Sequence, residues 1–218
     1  MSTVWTYFQD HRGDILGWLW TTVWLAAVPL VIGLAIALPI GWVASRYRWT
    51  YPAVVSGAGI LYTIPSLVLF LVLPGIIGTR ILDTINVAVG LTVYTVALLV
   101  RVVADGLSSV SAGTLDAASA MGYTGRQRLV NVQLPMAVPV IGAGLRVAAV
   151  SNVSLVSVAS IIGVSQLGQL FIAGNVTDSI PPIVLGLILF FLLALAFDVV
   201  IQFLVRALTP WQRAGAGS

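Results

Sequence analysis

The chain has no cysteine, no lysine and no glutamate, and its one histidine, His11, precedes the first long apolar run. Each absence removes a class of chemistry. Without cysteine there are no disulfides and no thiol nucleophiles, and the redox compartment is left open. One histidine without Cys or Glu argues against a buried transition-metal centre and leaves no His-based triad, so no catalytic residue and no metal ligand is assigned. The Gly-rich phosphate loop that ends in Lys is impossible in a chain without Lys.

Charge is scarce as well. Only 8% of the 218 residues are charged and 59% are hydrophobic, with a mean hydropathy of +1.06, whereas a soluble domain carries charge on about a quarter of its residues. Such a chain cannot cover its surface with polar groups, so lipid must supply much of its surroundings. The bilayer core satisfies no backbone hydrogen bonds, which restricts spanning elements to helices or a closed barrel. Long unbroken apolar runs select helices. The expected fold is all-α, a polytopic membrane protein of about five transmembrane helices. The whole chain, 1–218, is read as one domain, because no soluble stretch is long enough to build a second core.

The spans are expected at about Leu16–Ala44, Pro52–Leu73, Val87–Ala104, Met136–Ile162 and Ile183–Leu204, each near or above the ~20 residues needed to cross. Past Gly163 the apolar character continues to Ala173, with Gly and Gln residues that suit a protein-lined cavity better than lipid; a re-entrant or partly buried segment is expected there. Residues 1–14 lack the basic start and cleavage site of a secretory signal. The tail 214–218, Ala-Gly-Ala-Gly-Ser, is expected to be disordered.

The net charge of +3 comes from ten Arg against seven Asp. In a soluble protein this excess would suggest nucleic acid; here the arginines cluster at span ends and orient the chain. Arg46, Arg48, Arg101, Arg126, Arg128, Arg206 and Arg213 fall on one side if the spans alternate, and Arg12 and Arg80 on the other. The amino terminus is therefore expected outside and the carboxyl terminus in the cytoplasm. Arg146 falls within the fourth span, where contact with carbonyls or headgroups is the preferred reading over a functional role. Asp198 is the one acid well inside a span.

The largest cytoplasmic segment, about 105–135, has an ordered pattern. Thr114 is the expected N-cap of a short helix, Asp116 sits in its first turn, and Gly122 is placed to end it in the left-handed conformation. Thr124 can cap a second helix carrying Arg126 and Arg128, which leads to Leu134 and Pro135 at the entrance of the fourth span. So short a first helix needs a surface to dock against, and Ala117, Ala118 and Ala120 allow close backbone approach.

Asp116-Ala117-Ala118, then Gly122, then Val132-Gln133-Leu134-Pro135 resembles the EAA loop of bacterial ABC importer permeases, with Asp and Val at the positions usually Glu and Ile. That resemblance implies a type I importer permease of the bacterial inner membrane. It implies that Asp116, Ala117, Ala118, Gly122, Arg126, Leu134 and Pro135 couple the chain to cytoplasmic ATPase subunits, which hold the ATP and Mg while this chain holds no cofactor. A second permease subunit, identical or paralogous, and an extracytoplasmic solute-binding protein are the other implied partners, with lipid around the spans and no nucleic acid. Thr63-Ile64-Pro65-Ser66-Leu67, Leu99-Val100-Arg101, Gly144-Leu145-Arg146 and Ala159-Ser160-Ile161-Ile162-Gly163 resemble the branch that carries quaternary-amine osmoprotectants such as glycine betaine, choline, carnitine and proline betaine. Val102 stands where that branch usually has Asn.

A solute path needs polar or small groups facing the bundle interior. The candidates are Thr63, Pro65 and Ser66 in the second span, and Asn152 and Ser154 in the fourth. Ser151, Ser154, Ser157 and Ser160 recur every three residues, which drifts about 180° around a helix over the run, so they do not all face one pore. The seven Trp lie near span ends or in the first helix, as an interfacial belt does. The alternatives are a permease for another small solute such as methionine, and a stand-alone secondary carrier. The carrier would show paired intramembrane acids or two half-chain repeats.

Overall fold

The computed structural model describes residues 4–47 and 49–211. Arg48, Arg213 and the tail 214–218 lie outside them. Helix α1 (Val4–Asp10) precedes the long helix α2 (Arg12–Arg46). Helices α3 (Thr50–Thr63) and α4 (Ser66–Ile77) follow, then α5 (Thr84–Ser108), the short helices α6 (Ala112–Ala120) and α7 (Gly125–Arg128), α8 (Leu134–Val158), α9 (Gln169–Val176) and α10 (Ile180–Leu208). Among the described residues four helices are long and apolar enough to cross a membrane, and α3 with α4 forms a fifth, bent candidate.

The centre of the bundle is the α2–α5 contact, and residue size explains it. Gly33, Ala37 and Gly41 recur every four residues on α2 and form a smooth stripe facing Thr95, Leu99 and Val103, equally spaced on α5. A Cβ at Gly41 would lie 2.6 Å from Val103 Cγ1. In lipid, where apolar side chains gain nothing by leaving water, close packing of this kind holds helices together. Asn152 adds a polar tie: its amide donates to Thr95 Oγ1 at 3.0 Å and to Ala26 O at 3.5 Å, joining α8, α5 and α2.

The second expected span is not straight. It breaks at residues 64–65, and α3 and α4 meet at 100°. Pro65 has no N–H to donate, and its ring pushes the preceding residue out of the helical region; Ile64 is extended at φ −65°, ψ 126°. The freed Ile64 carbonyl accepts the Tyr94 hydroxyl from α5, so the break is satisfied within the protein rather than exposed to lipid.

The segment after Gly163 is partly buried, as its composition suggests. Leu167 and Leu170 are fully buried, and Leu167 N–H donates to Thr22 Oγ1 of α2 at 3.0 Å. Gln166, also fully buried, accepts from Gly168 N–H at 2.6 Å.

Candidate coupling loop and translocation residues

Helix α6 starts earlier than its sequence pattern suggests. Ser111, not Thr114, is the N-cap: Ser111 is extended and its Oγ accepts from Thr114 N–H at 3.2 Å. Thr114 therefore lies inside the first turn, and Asp116 lies beyond it, where the helix dipole gives it no special stabilisation. The far end matches the expectation. Gly122 has φ +86°, Tyr123 N–H reaches Ala118 O at 3.1 Å, and Gly122 N–H reaches Ser119 O at 3.0 Å, the paired bonds of a Schellman stop. Thr124 caps α7 in a full capping box: Gln127 N–H donates to Thr124 Oγ1 at 3.4 Å and Thr124 N–H donates to Gln127 Oε1 at 2.9 Å.

From Gly125 the chain runs as one helical body to Val158. Its turn at Leu129–Gln133 is widened, with Leu134 N–H bonded five residues back to Leu129 O. Pro135 accounts for the widening, because its ring cannot approach the carbonyl four residues earlier and it offers that carbonyl no donor. Leu134 packs on the bundle core, so the loop and the fourth span are mechanically continuous. Arg128 Nη1 donates to Ser119 Oγ at 2.8 Å and holds α7 against α6.

The face left open by this arrangement consists of Asp116, Ala117, Ala120, Gly122 and Met121, the last 70% exposed. Ala118 points the other way and is buried against its own chain, so a large residue there disturbs the loop itself before it meets a partner. Arg126 is exposed. Met121 is absent from the residues singled out from the sequence, although its place at the helix end beside Gly122 marks it.

The path candidates divide between two places. Thr63, Pro65 and Ser66 sit together at the α3–α4 break, where Thr63 Oγ1 donates to Ile60 O at 2.7 Å. Asn152 is 1% exposed and spends its amide on helix packing. Ser154 is exposed on the other side of α8 and lines a 320 Å³ groove with Ser157, Phe171 and Phe190. The structure does not bring Asn152 and Ser154 to one surface.

Arg146 is held by a carboxylate. Its Nε and Nη2 donate to the two carboxylate oxygens of Asp198 at 2.6 and 2.7 Å, a bidentate pair that ties α8 to α10. The sequence held a signal for it. Arg146 lies about 18 Å along its helix from Leu134 and Asp198 about 15 Å from Leu208, so two opposite charges in antiparallel spans fall at similar depth. The pair also means that Asp198 is not an unpartnered acid of the kind a proton-driven carrier uses.

A short ordered loop feeding an apolar helix bundle with a proline-broken fifth member is the architecture of a multi-pass helical membrane protein. The chain belongs to the family of binding-protein-dependent transport system inner membrane components, whose pattern matches residues 30–213. It is a multi-pass inner-membrane protein that takes part in transport. Among its relatives, the osmoprotectant import permease protein OsmW of Salmonella typhimurium is 32% identical over 94% of this chain and 96% of its own length. The glycine betaine/carnitine/choline transport system permease protein OpuCD of Bacillus subtilis is 30% identical over 94% and 89%. The carnitine transport permease protein OpuCB of Listeria monocytogenes is 28% identical over 96% and 95%. Among solved structures, the MetNI methionine ABC transporter in an inward-facing conformation has a chain that superposes with a TM-score of 0.82 at 23% identity, covering 92% of this chain and 98% of that one. That likeness speaks for the fold alone.

Proposed function

We propose that this chain is the membrane-spanning subunit of an ATP-driven importer for quaternary-amine osmoprotectants, coupled through the face of Asp116, Ala117, Ala120, Met121 and Gly122 to a separate ATPase. The observation that carries the coupling is the loop's order. A helix of this length is marginal alone, yet α6 is capped at Ser111, stopped at Gly122 and tied to α7 by Arg128 while its outer face meets nothing among the described residues. A pre-formed, unpartnered helix joined rigidly to a span suits a part that receives force from another subunit. ATP and Mg belong to that ATPase.

The osmoprotectant relatives support glycine betaine, choline or carnitine as the solute, and so do the Thr63–Leu67 and Ala159–Gly163 motifs. Selection falls to an extracytoplasmic binding protein, and at least two permease subunits enclose the path. The arginine asymmetry supports an outside amino terminus and a cytoplasmic carboxyl terminus.

The test is co-purification with partners in detergent, followed by ATP hydrolysis with each solute and its binding protein. Stimulation by a betaine, choline or carnitine fits the reading; stimulation by methionine alone moves the chain to the neighbouring branch. A cysteine at Ser218, unique in this chain, reports sidedness, and labelling from outside intact cells reverses the topology.

A further inference from the structure

At the loop end of the bundle is a cavity of 660 Å³ between the last turn of α2, the end of α5 and the α6–α7 loop. Three arginines line it: Arg46 of α2, and Arg126 and Arg128 of α7. No acid is among the described residues that line it, and the nearby Asp105 is engaged by Arg101 at 3.6 Å and by the Tyr51 hydroxyl at 2.6 Å. Arg128 uses one guanidinium nitrogen on Ser119, while its Nε is buried with no hydrogen-bond partner among the described residues. A buried donor left unmade is costly and uncommon.

We propose that this cavity binds a phosphate-bearing anion, supplied in the membrane by the headgroup of an anionic phospholipid. Guanidinium forks match the oxygens of a phosphodiester, and three of them around one space fix both its charge and its position. The volume exceeds what one small oxyanion fills. Trp42 and Tyr47, both exposed, form part of the same wall where α2 leaves its apolar stretch. Amphipathic rings take that place at the headgroup level, and basic pockets beside span ends hold anionic headgroups. A headgroup there bridges Arg46 on a span to Arg126 and Arg128 on the loop and pins α7 to the bundle. The site does not depend on which side of the membrane the loop occupies, nor on the identity of the solute.

The full chain is purified in mild detergent and reconstituted into nanodiscs of equal phosphatidylglycerol and phosphatidylcholine; it is then re-extracted, and retained lipid is counted by native mass spectrometry. Wild type retains phosphatidylglycerol over phosphatidylcholine. Arg126→Gln and Arg128→Gln each lower that retention about tenfold, as the loss of a charge-assisted hydrogen bond implies, while Arg80→Gln at the other end does not. Arg128→Lys, which keeps the charge but loses the fork, falls between. If Arg128→Gln is not monodisperse, the exposed Arg126 still decides the matter. Equal retention of both lipids by wild type overturns the proposal, as does unchanged retention in the Gln variants. Displacement of the lipid by micromolar inorganic phosphate makes free phosphate the ligand and removes the headgroup. Loss of ATPase co-purification with lipid retention intact makes the occupant a partner's acidic group and overturns it too.

Discussion

Helix α5 and the bent pair α3–α4 are both apolar, yet they meet their surroundings in different ways. α5 has fourteen buried residues, from Asn86 to Leu107, whereas α3 has one, Ala58. Glycine shows the difference most directly. At Gly90 of α5 a Cβ would lie 2.7 Å from Phe70 Cε1, while at Gly57 and Gly59 of α3 and Gly75 of α4 a Cβ would meet nothing within 4 Å. The bundle is complete around α5 and open along α3 and the Gly75 side of α4, whose Phe70 side is packed on Gly90. Small residues on an open face at membrane depth are what a second helical surface needs in order to approach closely. The bent pair is therefore the side on which a second permease subunit is expected.

The sharpest way to break this contrast is at its centre. Gly41→Leu drives a side chain into Val103, with an expected loss of about 3 kcal/mol or failure to fold, read as thermal unfolding in detergent. Gly57→Leu on the open face should stay within about 0.5 kcal/mol by the same measurement, while lowering the yield of permease pairs on cross-linking. Equal losses at both sites would erase the distinction.

Asp198→Leu strands the Arg146 guanidinium within its span and lowers the melting temperature. Adding Arg146→Met to it restores part of the loss, because an apolar pair needs no partner charge. A double variant no better than the single one would mean that the pair does more than balance charge. Asn152→Ala removes the tie among α2, α5 and α8, with an expected cost of about 2 kcal/mol.

The loop offers the smaller effects on stability. Gly122→Val puts a β-branched residue at φ +86°, a strain of about 1–2 kcal/mol, and solute uptake should fall more than expression does. Ser111→Ala removes the cap at a cost of about 1 kcal/mol, confined to α6 and visible as faster amide exchange there. Uptake at wild-type rates in Gly122→Val would remove the loop from the coupling role.

Much of this was legible in the sequence, because most of the signals are local. Apolar runs placed the spans to within a few residues, and Gly122 and Thr124 marked real helix boundaries because capping depends on only a few neighbouring residues. Thr114 failed as a cap because Ser111, three residues earlier, offers the same hydroxyl, and local chemistry alone does not choose between them. Pro65 is the one local mark of the break at residues 64–65; the Tyr94 hydroxyl that satisfies Ile64 O comes from thirty residues away and leaves no trace beside the proline. The burial of Ala118 and of Asn152 is likewise not legible locally. Residue type suggests what a side chain can do, but which neighbour it faces is decided by tertiary packing.

The widened turn at Leu129–Gln133 has a mechanical consequence. It lies near one end of a single helical body, with α7 as the short arm, about 10 Å to its middle, and α8 as the long arm, about 37 Å at the ordinary helical rise. Helical bonding continues through it, with Leu134 N–H on Leu129 O, so the two arms turn as one body about Leu134, which is packed on the bundle core. About that point, a displacement of about 1 Å at the loop becomes about 3–4 Å at Val158, at the far end of the span. A short helix joined without a break to a long one thereby turns a small thrust at the loop into a wide swing at the other end of the bundle.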